Sequence, residues 1–456
     1  MRGEPGSIRR IFGLLRDPAT AEKRALLAAR WAELAPDLRL PGQGLGQKGT
    51  GCGATIGIQP RCDFACTGCY LGKDANHVPA LAMPAIFAQL DALRARLGPK
   101  GNLQITDGEV TLRPLPELIE ILRYSRSVGM VPMLMTHGDT LRSQPGMLER
   151  LMVEGGLTEI SIHIDITQRG RIGYPVPSSE LDLMELRDEF ADRVRAARKS
   201  TGLPLRVATT LTVSRDNLPQ MADVVRWMVK NRDAFRLISF QPLAQVGRTR
   251  KKLEGVTPSE LWSEVSKATA DYGLPIPEEA SSGPHHFGHP ACTRVVLMVA
   301  VERPGEAARL IQLIRPVPED EAIFGRFLAS EFAGATFRDD PPLEFAARAI
   351  GVLRGAPGWF FGDVRRWLEN RVREELGTSL WKLGLDHLRG AVRIDPVTLT
   401  SHHFMSPAEL KTDLGRERLA ACAFRLPHQG EMVSMCQMNA AGRRDVFYRE
   451  MIEGGA

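Results

Sequence analysis

Apolar positions along this chain follow two rhythms. From residue 54 to about 280, short apolar runs alternate with longer stretches in which apolar residues recur every three or four positions, the pattern of strands each followed by a helix. The runs ATIGIQ from Ala54, LQIT from Leu103, PMLMT from Pro132, EISIHI from Glu159, LRVATTLTV from Leu205 and LISFQP from Leu237 predict six strands. The stretches between them predict helices near 86–97, 115–128, 146–154, 181–199, 217–231 and 259–272. Strands linked by helices of that length lie parallel. The expected fold class is therefore α/β, a partial (β/α)6 TIM-like barrel over residues 51–280.

The flanks read differently. Residues 1–50 predict an N-terminal helical extension, with one or two amphipathic helices between 8 and 34 and then the glycine-rich segment PGQGLGQKGTGCG. After about 280 the alternation breaks at Gly283-Pro284 and the HHFGHPAC stretch. A smaller C-terminal α+β domain, 281–456, is expected there, with a strand at 295–301, charged helices across 343–388 and a hairpin between the last two cysteines. No internal repeat or low-complexity tract stands out.

Composition narrows the functional classes. A chain of 456 residues, 43% hydrophobic and 25% charged, has enough apolar material for one large domain and a smaller one. The net charge of +5 comes from 59 basic residues scattered among 54 acidic ones, so no basic block marks a nucleic-acid partner. No apolar run approaches the roughly 20 residues of a membrane span. The N-terminus MRGEPGSIRRIFGLLRD lacks a secretory signal, and a cytoplasmic location is expected. In that compartment seven cysteines stay reduced, and three packed within eight residues point to metal or catalysis before disulfides.

Those three lie in PRCDFACTGCYLG, where Cys62, Cys66 and Cys69 directly follow the first predicted strand. Three thiolates around an iron-sulfur cubane leave one iron open to a small ligand, whereas three thiolates plus one further residue would suit structural zinc. Polar residues closing the other strands are candidate ligands, because functional groups gather at the C-terminal ends of parallel barrel strands. They are Asp107-Gly108-Glu109 after the second strand, 136–139 after the third, and Ser161, His163 and Asp165 on one face of the fourth. Thr210, Thr212 and Gln241 on the fifth and sixth strands extend the set. No catalytic residue is assigned from the sequence.

The C-x3-C-x2-C loop after the first strand resembles that of the radical S-adenosylmethionine (radical SAM) superfamily. The resemblance implies a [4Fe-4S] cluster on Cys62, Cys66 and Cys69. It further implies S-adenosylmethionine on the open iron, and its one-electron cleavage to a 5'-deoxyadenosyl radical that abstracts a substrate hydrogen. Gly108 and Glu109 resemble the motif that binds the cofactor's amino group, and Ser161, His163 or Asp165 fall where ribose and carboxylate are held, with Arg169 or Arg171 nearby. Many members carry an aromatic residue before the third cysteine, but here Gly68 stands there and Tyr70 follows it, so Tyr70 is the candidate adenine contact. An electron donor such as flavodoxin or ferredoxin is implied as a partner.

Cys292, Cys422, Cys436 and Cys52 remain, enough for a second [4Fe-4S] cluster. The C-terminal pair resembles the auxiliary-cluster modules called SPASM and twitch domains. Nearby histidines (His285, His286, His289, His402, His403) are alternative ligands. The HPAC segment and the final MCQMNAAGRR are similar to the tetraether lipid synthase branch, which implies a lipid alkyl chain as substrate and carbon-carbon bond formation. Aromatic residues and arginines interleaved across 356–390 fit peripheral membrane contact. Radical modification of a peptide is the rival enzymatic reading, and a non-catalytic iron-sulfur electron carrier is the rival from another class.

Overall fold

All six predicted barrel strands are present and parallel. In the computed structural model, which describes residues 5–40, 42–277, 286–330, 332–356 and 358–454, they are β1 (Cys52–Thr55), β2 (Asn102–Ile105), β3 (Val131–Thr136), β4 (Glu159–His163), β5 (Arg206–Val213) and β6 (Phe235–Pro242). Each pairs in parallel with the next, so the alternation of strand and helix produced the expected half-barrel. β1 is shorter than its apolar run. Gly57 adopts φ +76° and turns the chain out of the ladder, so Ile56 and Ile58 are buried beyond the strand and the chain leads into the cysteine loop.

Helices α1 (Pro5–Arg16) and α2 (Ala21–Glu33) form the extension. The barrel helices are α3 (Met83–Leu97), α4 (Leu115–Ser127), α5 (Asp139–Ser143), α6 (Met147–Val153), α7 (Met184–Thr201), α8 (Met221–Lys230) and α9 (Pro258–Ala270). Their apolar stripes carry the main core, with Leu90, Leu93 and Leu97 of α3, Phe190 and Val194 of α7 and Trp262 of α9 all buried against the sheet.

The C-terminal strands do not build a sheet of their own but join that of the barrel. β7 (Thr293–Glu302), β8 (Arg309–Gln312), β9 (Arg393–His402), β10 (Phe424–His428) and β11 (Glu431–Ser434) lengthen the barrel sheet at both edges, giving the order β11-β10-β1-β2-β3-β4-β5-β6-β9-β7-β8. β9 pairs in parallel with β6, and β10 in parallel with β1. The buried indole of Trp262 donates to Ser401 at 3.0 Å, with the Arg294 guanidinium over its ring, fastening α9 to β9 and β7. The predicted hairpin is β10–β11, turned through Gln429 and Gly430, both at positive φ. The expected boundary at 280–281 lies outside the described residues.

Helices α10 (Pro318–Leu328), α11 (Pro342–Gly355), α12 (Arg365–Leu376) and α13 (Leu380–Leu388) sit between β8 and β9, and α14 (Asp413–Ala420), α15 (Met435–Ala440) and α16 (Arg443–Glu453) complete the chain. Arg338 pairs with Glu159 and donates to Asn102 at 3.0 Å, closing the N-terminal ends of β2 and β4. The opposite end, where the strands finish, stays open. Among the described residues, no helix is long and apolar enough to cross a membrane.

Candidate active site

The open end of the half-barrel holds a cavity lined by Cys62, Cys66 and Cys69 from the loop after β1, Gly108 and Glu109 after β2, and Ser161 and His163 of β4. Thr210, Thr212 and Gln241 line its far side, and Phe404, Phe424, Met435 and Asn439 from the C-terminal segments close it. With Thr136 and His137 after β3 also lining it, residues predicted from all six strand ends meet in one place.

The cysteine loop is fastened at both ends. His137, at the end of β3, stacks on Phe64 with ring centroids 3.7 Å apart. Its Nδ1 accepts from the Asp139 N–H at 3.1 Å, so Nε2 carries the proton and donates to Asp63 at 2.8 Å. At the other end the Tyr70 hydroxyl donates to the Asp107 carbonyl at 3.1 Å. A Cβ on Gly68 would come within 2.7 Å of Leu243 Cδ1, so a larger residue there requires that side chain to shift. Tyr70 lines the cavity.

Gly108 is required by close approach. A Cβ on it would run into the carbonyl oxygens of Gln59, Pro60 and Arg61, and the Glu109 N–H donates to the Arg61 carbonyl at 2.9 Å. The Glu109 carboxylate is buried and already held. Oε1 accepts from the Thr111 N–H (3.0 Å), the Thr111 hydroxyl (2.5 Å) and the Thr136 hydroxyl (2.6 Å), while Oε2 accepts from the His137 N–H at 2.9 Å. Oε2 also lies 3.2 Å from His137 Nε2, so a cationic ligand there would share it with that ring.

On β4, Ser161 shares a 2.9 Å hydrogen bond with Thr210, and His163 Nε2 lies 2.5 Å from Asp165 Oδ2. Asp165 does not reach the cavity. Its oxygens accept from Thr167 and from the Thr212 N–H at 2.7 Å and meet His163, so it holds the His163 ring in place. Burial works to raise its carboxyl pKa, but the His163 charge and these hydrogen bonds bring it down to about 2. Arg171 is likewise committed, to Asp139 at 2.8 Å and Gln168 at 2.6 Å, and Arg169 to the Ile166 and Gln168 carbonyls.

The cation that sequence reasoning missed is Arg248, beyond β6 in the segment QVGRTRK. It lines the cavity, its Nη2 donates to the Phe64 carbonyl at 3.3 Å, and its buried Nε has no hydrogen-bond partner among the described residues. Burial opposes its charge, and Cys69, Cys62 and Cys66 more than offset that. No periodic pattern flags such a residue; only the fold brings it to the thiols.

The residues fit a cationic cluster with a carboxylate-bearing ligand. Burial pushes the Cys62 thiol up to about 12, and burial together with Cys69 and Cys62 pushes Cys66 well up. Three crowded thiols become tolerable thiolates when iron neutralises them, and the unpartnered Arg248 Nε suits an anionic group beside them.

A second group of thiols gathers behind the cavity wall. Cys292 precedes β7, Cys422 precedes β10 and Cys436 is the second residue of α15; burial first, then Cys436 and Cys292, push the Cys422 thiol up to about 12. Arg418 of α14 donates to Cys292 Sγ at 3.3 Å and to the His403 carbonyl at 2.5 Å. His403 Nε2 is buried without a partner among the described residues. Cys52 is not brought to this group; its sulfur accepts from Asn102 at 3.4 Å, and Arg338 is its charged neighbour. His285 lies outside the described residues.

Comparison with known proteins adds the following. A family model described as the radical SAM superfamily matches residues 56–228. The chain is 28% identical over 210 residues to a 7,8-dihydro-6-hydroxymethylpterin dimethyltransferase of Methanocaldococcus jannaschii, a match covering 44% of this chain and 38% of that protein. It therefore spans well under half the length of the curated relative it matches. Among solved structures, Streptococcus suis SuiB bound to S-adenosylmethionine is similar with a TM-score of 0.36 at 14% identity, over 49% of this chain and 47% of that one. A tagged anSMEcpe with bound AdoMet gives 0.35 at 12% identity, over 48% and 57%.

Proposed function

From the membership of residues 56–228 in the radical SAM superfamily, we propose that this chain is an enzyme that cleaves S-adenosylmethionine at a [4Fe-4S] cluster on Cys62, Cys66 and Cys69 and removes a hydrogen atom from a small organic substrate. When bound, the cluster and cofactor supply one-electron cleavage of a sulfur-carbon bond and a carbon radical able to attack unactivated C–H groups. The chain's own residues bind and orient. Glu109 Oε2 accepts from the cofactor's ammonium, Arg248 Nε donates to its carboxylate, and His163, steadied by Asp165, presents its ring to the ribose. Phe404, Phe424 and Met435 give the substrate side an apolar wall that keeps water from the radical.

The observation that carries this reading is the single cavity in which the three thiols, Gly108, Glu109 and Arg248, whose Nε is unpartnered, converge. A non-catalytic electron carrier has no use for it. The pterin named for the curated relative makes a small heterocycle the first substrate class to test. A lipid alkyl chain is the second reading, supported by that apolar wall and by Trp381 and Leu388 of α13, which are 80% and 85% exposed beside Lys382 and Arg389. α13 leads into the N-terminal end of β9, however, which is the end of the sheet away from the cysteine cavity. We also propose a second cluster on Cys292, Cys422 and Cys436, with His403 as fourth ligand.

Anaerobic reconstitution followed by S-adenosylmethionine and dithionite tests the core of the proposal. Wild type should release 5'-deoxyadenosine and methionine, and Cys66→Ala should release neither. Equal release by both, or none by a wild-type protein that holds iron, would overturn it.

A further inference from the structure

Asp107 is the residue in the site that elementary backbone physics least expects. It sits at φ +121°, in the region that favours glycine, directly before Gly108 and Glu109. Its side chain is fully buried, and every part of it is gripped. Oδ2 accepts from the Gly57 N–H at 2.7 Å, where β1 gives way to the cysteine loop. Oδ1 accepts from Arg444 at 2.6 Å and from the Tyr448 hydroxyl at 2.8 Å. Arg444 and Tyr448 come from α16, more than three hundred residues along the chain.

The same helix holds the loop itself. The Arg444 guanidinium lies over the Tyr70 ring at 5.0 Å, and Tyr70 is next to Cys69. Arg444 Nε is fixed by Asn439 at 2.9 Å, and Tyr448 and Met451 pack with Leu71, Ala75 and Val78. Asp445 crowds Gly72 so closely that a Cβ there would overlap it. A strained residue persists only where its surroundings over-determine it, and here the surroundings are α16.

We propose that Arg444 and Tyr448 are positioning residues: through Asp107 they set the backbone of 106–109 against the cysteine loop, so that α16 tunes how tightly the cofactor edge is held. This rests on the cofactor reading above and deepens it. Without Arg444 the buried Asp107 carboxylate keeps the Gly57 N–H and the Tyr448 hydroxyl but loses its one charged partner among the described residues, and the strained segment relaxes. A glycine at position 107 carries neither the strain nor the charge, so it should need no buckle.

Arg444→Met, Tyr448→Phe, Asp107→Gly and the double variant Asp107→Gly/Arg444→Met distinguish this from general stabilisation. In the metal-free proteins, amide exchange across 105–110 should speed on the order of tenfold or more in Arg444→Met, less in Tyr448→Phe, and return toward wild type in the double variant. In the reconstituted proteins, S-adenosylmethionine affinity should fall and recover in the same order. Faster exchange confined to 443–454, or no recovery in the double variant, would overturn the inference. If wild type binds no S-adenosylmethionine, the cofactor reading fails while the exchange result still decides whether α16 positions 106–109.

Discussion

Among single residues of the site, Gly108 carries a sharp steric demand. The three carbonyl oxygens of 59–61 occupy the space a methyl would need, and backbone cannot swing aside as a side-chain tip can. Gly108→Ala must push the cysteine loop away from β2, at a cost of about 1–3 kcal/mol if the overlap is relieved by local shifts. The loop is also what sets the spacing of the thiols. The expected outcome is a lower urea midpoint for the metal-free protein and loss of iron on desalting after reconstitution, both measurable side by side with wild type. The sequence made Gly108 and Glu109 legible because they close an apolar strand in a motif of fixed order. It could not reveal that Asp165 lies behind His163 and does not itself line the cavity, since alternation places a residue on a face but does not say which neighbours consume its oxygens. Nor could it reveal Arg248, one arginine among many in a segment without period.

At the scale of elements, periodicity located all six barrel strands, and their errors are confined to ends. β1 stops early because Gly57 turns the chain, a conformational event that an apolar run does not report. The N-terminal helices were legible as amphipathic but their docking was not. α2 inserts Lys23 beneath the barrel, where Nζ donates to Thr50 at 3.0 Å and to the Leu97 carbonyl at 3.1 Å. Burial, with Lys48 and Arg94 adding to it, lowers the Lys23 pKa from 10.5 to about 8. The unfolded chain therefore binds more protons between those values, so this residue's contribution to stability improves as pH rises. The penalty is complete below pH 8, about 3 kcal/mol from the size of the shift, and gone near 10.5. Lys23→Met should raise the denaturant midpoint of the metal-free protein at pH 7 and give little difference at pH 10.5. A gain that is equal at both pH values would mean that the methionine stabilises by packing and not by removing a buried charge.

At the scale of the whole molecule, the C-terminal third is woven into the barrel. β9 and β10 each join an edge of the sheet in parallel, and this brings Cys292, Cys422 and Cys436 together although they are spread over more than a hundred residues. Cysteine count in the sequence suggested such a grouping, but included Cys52, which pairs with both Asn102 and Phe424 and whose sulfur meets the Asn102 side chain. The two thiol groups therefore make separable predictions about iron. If the second group holds a four-iron cluster, reconstituted wild type should bind roughly eight irons per chain and Cys422→Ala roughly four, with the first cluster still binding S-adenosylmethionine. Cys52→Ala should leave the count unchanged. His403 is the proposed fourth ligand because its Nε2 is buried without a partner among the described residues while its backbone N–H is fixed to the Cys292 carbonyl at 2.8 Å. His403→Ala should keep iron near the wild-type count but alter the electron paramagnetic resonance of the second cluster alone, since an exogenous ligand then takes the vacated iron. A wild-type count near four, with zinc retained by the variant lacking the first three cysteines, would instead make this group a structural zinc site, for which three thiolates and one imidazole are an ordinary set.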